Sequence, residues 1–224
     1  MRYQQVKRGR FLERPNRFIA HVELEGRREV CHVKNTGRCR ELLVPGAAVY
    51  LEASANPARK TKYDLIAVEK GDLLINMDAQ APNKVFGEWA AKSWPGLLSL
   101  RPEFTWEDSR FDFRLETEAG ITFVEVKGVT LEEDGEVRFP DAPTERGVKH
   151  LHGLRRAAEQ GYGAAVCFVI QMKGVTHFRP NDATHPAFGR ALREAAAVGV
   201  RVLAYDCLVT PESLQMDAPV PVFL

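Results

Sequence analysis

The 224-residue chain lacks any apolar run of membrane-spanning length and any basic-then-apolar leader, so neither membrane insertion nor secretion is expected. Cysteine is scarce. Cys31, Cys39, Cys167 and Cys207 are scattered without the spacing of metal ligands, which argues against zinc and makes free thiols in a reducing, cytoplasmic compartment the expectation. Also missing are internal repeats, low-complexity tracts, a phosphate-binding glycine loop and a helix-turn-helix pattern. Net charge is almost absent at +1, but the average hides a division. Residues 1–40 carry eleven Lys or Arg against four Glu, and the remainder twenty against twenty-six acids. The basic end is where a polyanion would be expected to bind, although a charge cluster is often only a solvated face.

With 45% hydrophobic and 27% charged residues, the composition is that of a soluble globular protein able to hold one large domain or two small ones. Residues 3–76 read as a run of short strands. Phe18, Ala20, Val22 and Leu24 alternate with Arg17, Ile19, His21 and Glu23, while Glu25-Gly26-Arg27, Asn35-Thr36-Gly37 and Pro45-Gly46 supply corners. Further short stretches fall at 30–33, 38–43, 47–51, 60–68 and 73–75. Five or six such strands suggest a small closed barrel over residues 1–80, with the oligonucleotide-binding type as first choice. Lys7, Arg8, Arg10, Arg14 and Arg17, interleaved with Phe11 and Phe18, suit a groove that tracks a nucleic-acid backbone; the competing reading makes both Phe residues core.

Residues 81–224 have a different rhythm. After a linker at 76–82, residues 83–94 read as a helix capped by Asn83 and ended by Pro95-Gly96. Its buried stripe of Val85, Trp89 and Ala90 leaves Glu88 at the edge, either an additional acid for a site or an ordinary surface residue. Residues 128–131 extend a strand, 132–136 form an acidic loop and 139–143 a stiff one. Thr144 caps a helix running to Gln160, with Val148, Leu151, Leu154 and Ala158 turned inward. Arg146, Lys149 and Arg156 form its outer stripe, suited to phosphate or simply solvated. His150 and His152 lie about 200° apart on that helix and cannot share one metal. An apolar strand at 163–170, a helix at 186–198 and a strand at 200–205 complete an α/β layer, with edge strands at 172–178 and 220–224. The fold class is therefore α/β, or mixed α+β, with a barrel first.

The chemistry concentrates between Ser109 and Lys127. Two alternating arms, rich in Phe and Val, flank Thr117-Glu118-Ala119-Gly120 in the pattern of a hairpin. If Glu118 and Ala119 form the turn, Asp112 faces Glu125; a slip of the register brings it opposite Val126 or Lys127. Glu125 and Lys127 share one face of their strand. Two carboxylates at that range repel unless a divalent cation lies between them, and oxygen ligands suit Mg²⁺ or Mn²⁺. Lys127 could orient or deprotonate a water, or stabilise charge on a phosphoryl oxygen. A lone Glu-x-Lys on a strand is more often an exposed ion pair.

Asp112, twelve residues, then Glu125-Val126-Lys127, with a helix before and an α/β crossover after, resembles the core of the PD-(D/E)XK nuclease superfamily. The longer text is more specific. Ser109-Arg110-Phe111-Asp112-Phe113, then Glu125 through Leu131, then Phe139 through Leu151, with Asn35-Thr36-Gly37, Pro45-Gly46 and Asn83-Lys84, closely resembles the sugar fermentation stimulation protein A family over essentially the whole chain. The resemblance implies an oligonucleotide-binding-like barrel joined to a nuclease-like domain, DNA binding and a link to maltose metabolism. It places metal-binding acids on Asp112 and Glu125, a catalytic lysine on Lys127, and a candidate further ligand on Glu88. Phe111 stands where the superfamily pattern has proline, a position that shapes the strand rather than ligating metal. One function expected on this basis is a Mg²⁺-dependent DNA nuclease. The others are a non-catalytic DNA-binding regulator of sugar metabolism and an RNA-processing or phosphate-ligand enzyme on the same scaffold. DNA, with RNA as the alternative, is the expected partner through backbone contacts; no membrane partner is expected, and oligomer formation is left open.

Overall fold

The computed structural model describes residues 1–35, 37–56 and 58–224. Strands β1 (Val6–Asn16), β2 (Ile19–Leu24), β3 (Arg27–Val33), β4 (Ala48–Ala53), β5 (Tyr63–Lys70) and β6 (Leu73–Asn76) form one sheet in the order β3-β2-β1-β4-β5-β6. A further parallel pairing of β3 with β5 closes it into a five-stranded barrel, leaving no edge between those strands. The expected alternation holds for Ala20, Val22 and Leu24, which point inward and are buried. Phe11 and Phe18 part company: Phe11 is core, whereas Phe18 is 46% exposed. Residues 38–43 form turns rather than a strand, and Cys39 adopts a positive φ there. Of the Asn35-Thr36-Gly37 turn, Thr36 lies outside the described residues.

Helix α1 (Ala81–Ser93) follows, then β7 (Leu97–Trp106), β8 (Ser109–Thr117), β9 (Gly120–Val129), β10 (Leu131–Glu133), β11 (Glu136–Phe139), α2 (Glu145–Glu159), β12 (Gly163–Ile170), β13 (His177–Pro180), α3 (Pro186–Ala197), β14 (Arg201–Thr210) and β15 (Ser213–Pro219). The second six-stranded sheet runs β15-β14-β12-β9-β8-β7. Its centre, β9-β12-β14, is parallel and its flanks are antiparallel. Burial on both faces explains the uninterrupted apolar run of β12. On one face Phe86, Val85 and Ala90 of α1 pack with Phe113, Val124, Val126 and Cys167. On the other, Leu151 and Leu154 of α2 and Leu192 of α3 pack with Phe111, Phe123 and Phe168.

Three local expectations are corrected. The helix begins at Ala81, two residues before Asn83, because Pro82 fits a first helical turn; its cap, Gln80, makes no side-chain bond. The acidic stretch at 132–136 is the β10-β11 hairpin, turning through Asp134 and Gly135, both at positive φ, with Glu132 bound to Lys70 at 2.6 Å. The segment after β6 is not a loose linker. Asn76, Met77 and Asp78 are buried, and Gln171 donates to Asn76 Oδ1 at 2.9 Å and to the Asp78 carbonyl at 3.1 Å. The four cysteines are all buried and free. Among the described residues no helix is long and apolar enough to cross a membrane.

Candidate functional site

The β8-β9 ladder pairs Thr117 with Gly120 and proceeds in register to Phe113 opposite Val124. That is the frame in which Asp112 falls opposite Glu125. The regular pairing stops one step short of them, and the Asp112 side chain takes over: the Val126 N–H donates to Asp112 Oδ2 at 2.8 Å. Phe111 packs with Phe123 on the α2 side while Phe113 packs with Phe86 on the α1 side, so β8 twists at Asp112 and turns its carboxylate along the strand pair. Asn83, in the first turn of α1, donates to Asp112 Oδ1 at 2.8 Å.

Glu125 is 2% exposed. Lys127 Nζ donates to its Oε1 at 2.6 Å, as expected for neighbours on one strand face. His150 Nδ1, from α2, meets that same oxygen. Arg146 Nε donates to His150 Nε2 at 3.4 Å, which makes Nε2 an acceptor and assigns the ring proton to Nδ1, facing Glu125. The second oxygen, Glu125 Oε2, is buried and has no hydrogen-bond partner among the described residues. A buried carboxylate oxygen without a donor is costly, and a hard divalent cation is one group that removes that cost.

The two acids are pulled in opposite directions. Burial, and then the charge of Glu125, push the Asp112 pKa above the usual aspartate range, against the opposing bonds from Val126 and Asn83 and the charge of Lys127. For Glu125 burial is again the largest single influence and acts upward, but His150 and Lys127 together overcome it and hold the carboxyl below its ordinary value. Neighbouring carboxylates separated in this way are a common feature of sites that do acid-base or metal chemistry. Asp112 opens on a cleft of about 430 Å³ also lined by Asn83, Lys84, Glu88 and Glu103.

Glu88 shares that cleft but lies apart from the hydrogen bonds around Glu125; its Oε2 binds the Met1 amino nitrogen at 2.7 Å. Among the described residues no group of three or more His, Cys, Asp or Glu is arranged to hold a metal ion. Two acids still suffice for Mg²⁺, which keeps several of its waters. The donor set of Asp112 and the free Glu125 oxygen therefore fits a hard cation.

The basic residues of the barrel divide. Lys7, Arg8 and Arg10 are paired with Glu25, Glu69 and Glu23 at 2.8, 3.2 and 2.7 Å. Arg14 donates to the carbonyls of Gly37, Arg38, Arg17 and Asn35, and Arg17 lies over the Phe18 ring at 4.9 Å. On α2, Lys149 reaches Asp108 at 3.5 Å, leaving Arg146 beside His150. His150 is the residue that sequence reasoning missed. Its signal was present: it lies between Gly147, Leu151 and Leu154 on the buried face of α2, where a polar side chain needs a partner.

A family model described as the SfsA N-terminal OB domain matches residues 12–77, and one described as the sugar fermentation stimulation protein RE domain matches residues 80–213. A sugar fermentation stimulation protein homolog of Desulfitobacterium hafniense (strain Y51) is 57% identical over 216 residues, covering 96% of this chain and 95% of that protein. One of Clostridium beijerinckii is 53% identical over 226 residues and covers both chains completely. Among solved structures, Pyrococcus furiosus SfsA in complex with Ca²⁺ superposes with a TM-score of 0.90 at 28% identity, over 100% of this chain and 98% of that one.

Proposed function

The chain belongs to the sugar fermentation stimulation protein family, and from that premise and the geometry of its acid pair we propose that it is a divalent-metal-dependent phosphodiester hydrolase acting on DNA. The observation that carries the proposal is the unpartnered, buried Glu125 Oε2 in a strand pair that Asp112 holds open. Asp112 and Glu125 would hold Mg²⁺ or Mn²⁺, with Glu88 on the rim of the same cleft as a candidate further acid. That the Pyrococcus furiosus relative carries Ca²⁺ supports a divalent, oxygen-seeking cation here. When bound, such a cation polarises a phosphoryl oxygen and lowers the pKa of a coordinated water. Lys127 holds its positive charge against Glu125 Oε1, ready to orient water or stabilise charge developing on phosphate. His150 fixes the same oxygen from the opposite element, so Glu125 has one orientation.

A second reading, a non-catalytic DNA-binding regulator of sugar or maltose metabolism in the cytoplasm, draws on the absence of a third ligand group among the described residues and on the family's description. Nicking of supercoiled plasmid in Mg²⁺ or Mn²⁺ separates the two. We expect wild-type protein to nick, and Lys127→Ala to abolish nicking while leaving DNA binding intact. Binding without nicking in either metal would favour the regulator, and equal cleavage by the variant would remove this site from the chemistry.

A further inference from the structure

The barrel carries a cleft of about 370 Å³ whose walls include Arg14, Arg17, Arg38 and Arg40. Their roles differ. Arg14 is consumed by four backbone carbonyls and ties Asn35, Gly37 and Arg38 to Arg17 of the β1-β2 turn. Arg17, Arg38 and Arg40 are exposed and, among the described residues, form no ion pair with any acid, in contrast to the paired Lys7, Arg8, Arg10 and Arg28 elsewhere on the barrel. Three unneutralised arginines around one concavity repel each other and are stabilised by an anionic occupant. Phe18, half-exposed beside Arg17, adds an aromatic surface of the kind on which a base stacks.

Asn35, three residues before Arg38, lines a second cavity of about 110 Å³ together with Gly128, Val129 and Asp141. Gly128 follows Lys127 on β9, so one wall of that cavity adjoins the strand that carries Glu125 and Lys127.

We infer that the arginine cleft of the barrel is a landing site for an unpaired nucleic-acid strand, with Arg17, Arg38 and Arg40 taking phosphates and Phe18 taking a base. The inference rests on the reading that the chain acts on nucleic acid, and it names the strandedness and the docking residues. A concave site of this volume admits a nucleotide, whereas a duplex presents only a convex backbone.

Anisotropy of a labelled 12-nucleotide oligo(dT), measured in EDTA so that no cleavage intervenes, tests it. The triple substitution Arg17→Ala, Arg38→Ala, Arg40→Ala is expected to weaken binding on the order of thirtyfold and to reduce the log–log salt slope by about 2, at roughly 0.7 per phosphate. Phe18→Ala is expected to weaken binding about tenfold with the slope unchanged. The control, Arg155→Ala, Lys173→Ala, Arg193→Ala, removes equal charge from ion pairs outside the barrel and should stay within about threefold of wild type. Should the alanine triple lose its fold in circular dichroism, the same three positions changed to Gln carry the test. Wild-type affinity in the cleft variant, an equal loss in the control, or absent oligo(dT) binding by the wild type overturns the inference. Duplex bound as tightly as oligo(dT) overturns its single-strand part. None of these outcomes bears on metal-dependent nicking, whose loss in Lys127→Ala is read separately.

Discussion

Asn83 and Asp112, one on the first turn of α1 and the other on β8, are joined at 2.8 Å, so the helix anchors a carboxylate that the strand ladder has released. The bond is partly buried, and among the described residues Asp112 Oδ1 has no other donor. Asn83→Ala is therefore expected to destabilise the apo protein by about 1–2 kcal/mol, the cost of an unsatisfied polar atom. The same change should weaken Ca²⁺ binding severalfold, because Asp112 loses its fixed orientation. Urea denaturation and calorimetric Ca²⁺ titration read the two effects. Unaltered Ca²⁺ affinity would detach Asp112 from the metal.

His150 occupies Glu125 Oε1 together with Lys127, so its loss leaves the lysine as the sole donor to a buried carboxylate. His150→Ala removes both the donor and its volume, and a loss of roughly 2–4 kcal/mol of stability is expected. His150→Phe restores volume without the donor and separates packing from positioning. If His150 orients Glu125, nicking falls at least tenfold in both variants; if it only fills space, His150→Phe nicks like wild type.

How far these arrangements were legible depended on how local their causes are. The hairpin register followed from a short turn and two alternating arms, and the structure keeps it to Phe113 opposite Val124. Thr144 as the cap of α2 was equally local, and its side chain accepts from the Gly147 N–H at 3.1 Å. The halt of the ladder at Asp112 was not legible, because it requires Asn83 to be supplied by a helix 29 residues upstream. His150 escaped for the same reason, its partner lying on a strand 25 residues away. The buried state of Asn76 and Asp78 depends on Tyr3 and Gln171, which no window of sequence contains. The β10-β11 hairpin is different: Asp134-Gly135 is a strong turn signal that the surrounding acids obscured. The ion pairs of Lys7, Arg8 and Arg10 were hidden because the acids come from elsewhere in the barrel, Glu25 from the β2-β3 turn, Glu69 from β5 and Glu23 from β2.

Asp64 provides a pH-dependent test of the barrel. Burial alone would raise its pKa, but Arg59, bonding both carboxylate oxygens at 2.9 and 2.7 Å, together with His32 and Lys34, lowers it to about 2. With the folded value below the unfolded one, the folded state binds fewer protons than the unfolded state between the two values, so this group stabilises at pH above the ordinary aspartate range. That stabilisation is lost as pH falls from about 4 through about 2. After discounting for solvent screening it amounts to roughly 1–2 kcal/mol. Denaturation midpoints across pH 2 to 5 should show the loss in wild type and a flatter profile in Asp64→Asn. An equally steep profile in the variant would assign the acid sensitivity to other carboxylates.

Gly128 stands immediately after Lys127, where a side chain has no room. A Cβ there would lie 2.5 Å from Gln171 Oε1 and 2.6 Å from Pro82 Cγ. Neither neighbour yields easily: the Gln171 amide is tied to Asn76 and Asp78, and Pro82 is a rigid ring in the first turn of α1. Gly128→Ala must therefore push β9 away from α1, at an expected cost of about 1–3 kcal/mol. Because α1 also carries Asn83, the same displacement loosens the hold on Asp112. The variant should unfold at lower urea concentration and bind Ca²⁺ more weakly than wild type under conditions where both are folded. Full stability would mean that the strand shifts freely at Lys127, and the rigid support argued for the acid pair would then be absent.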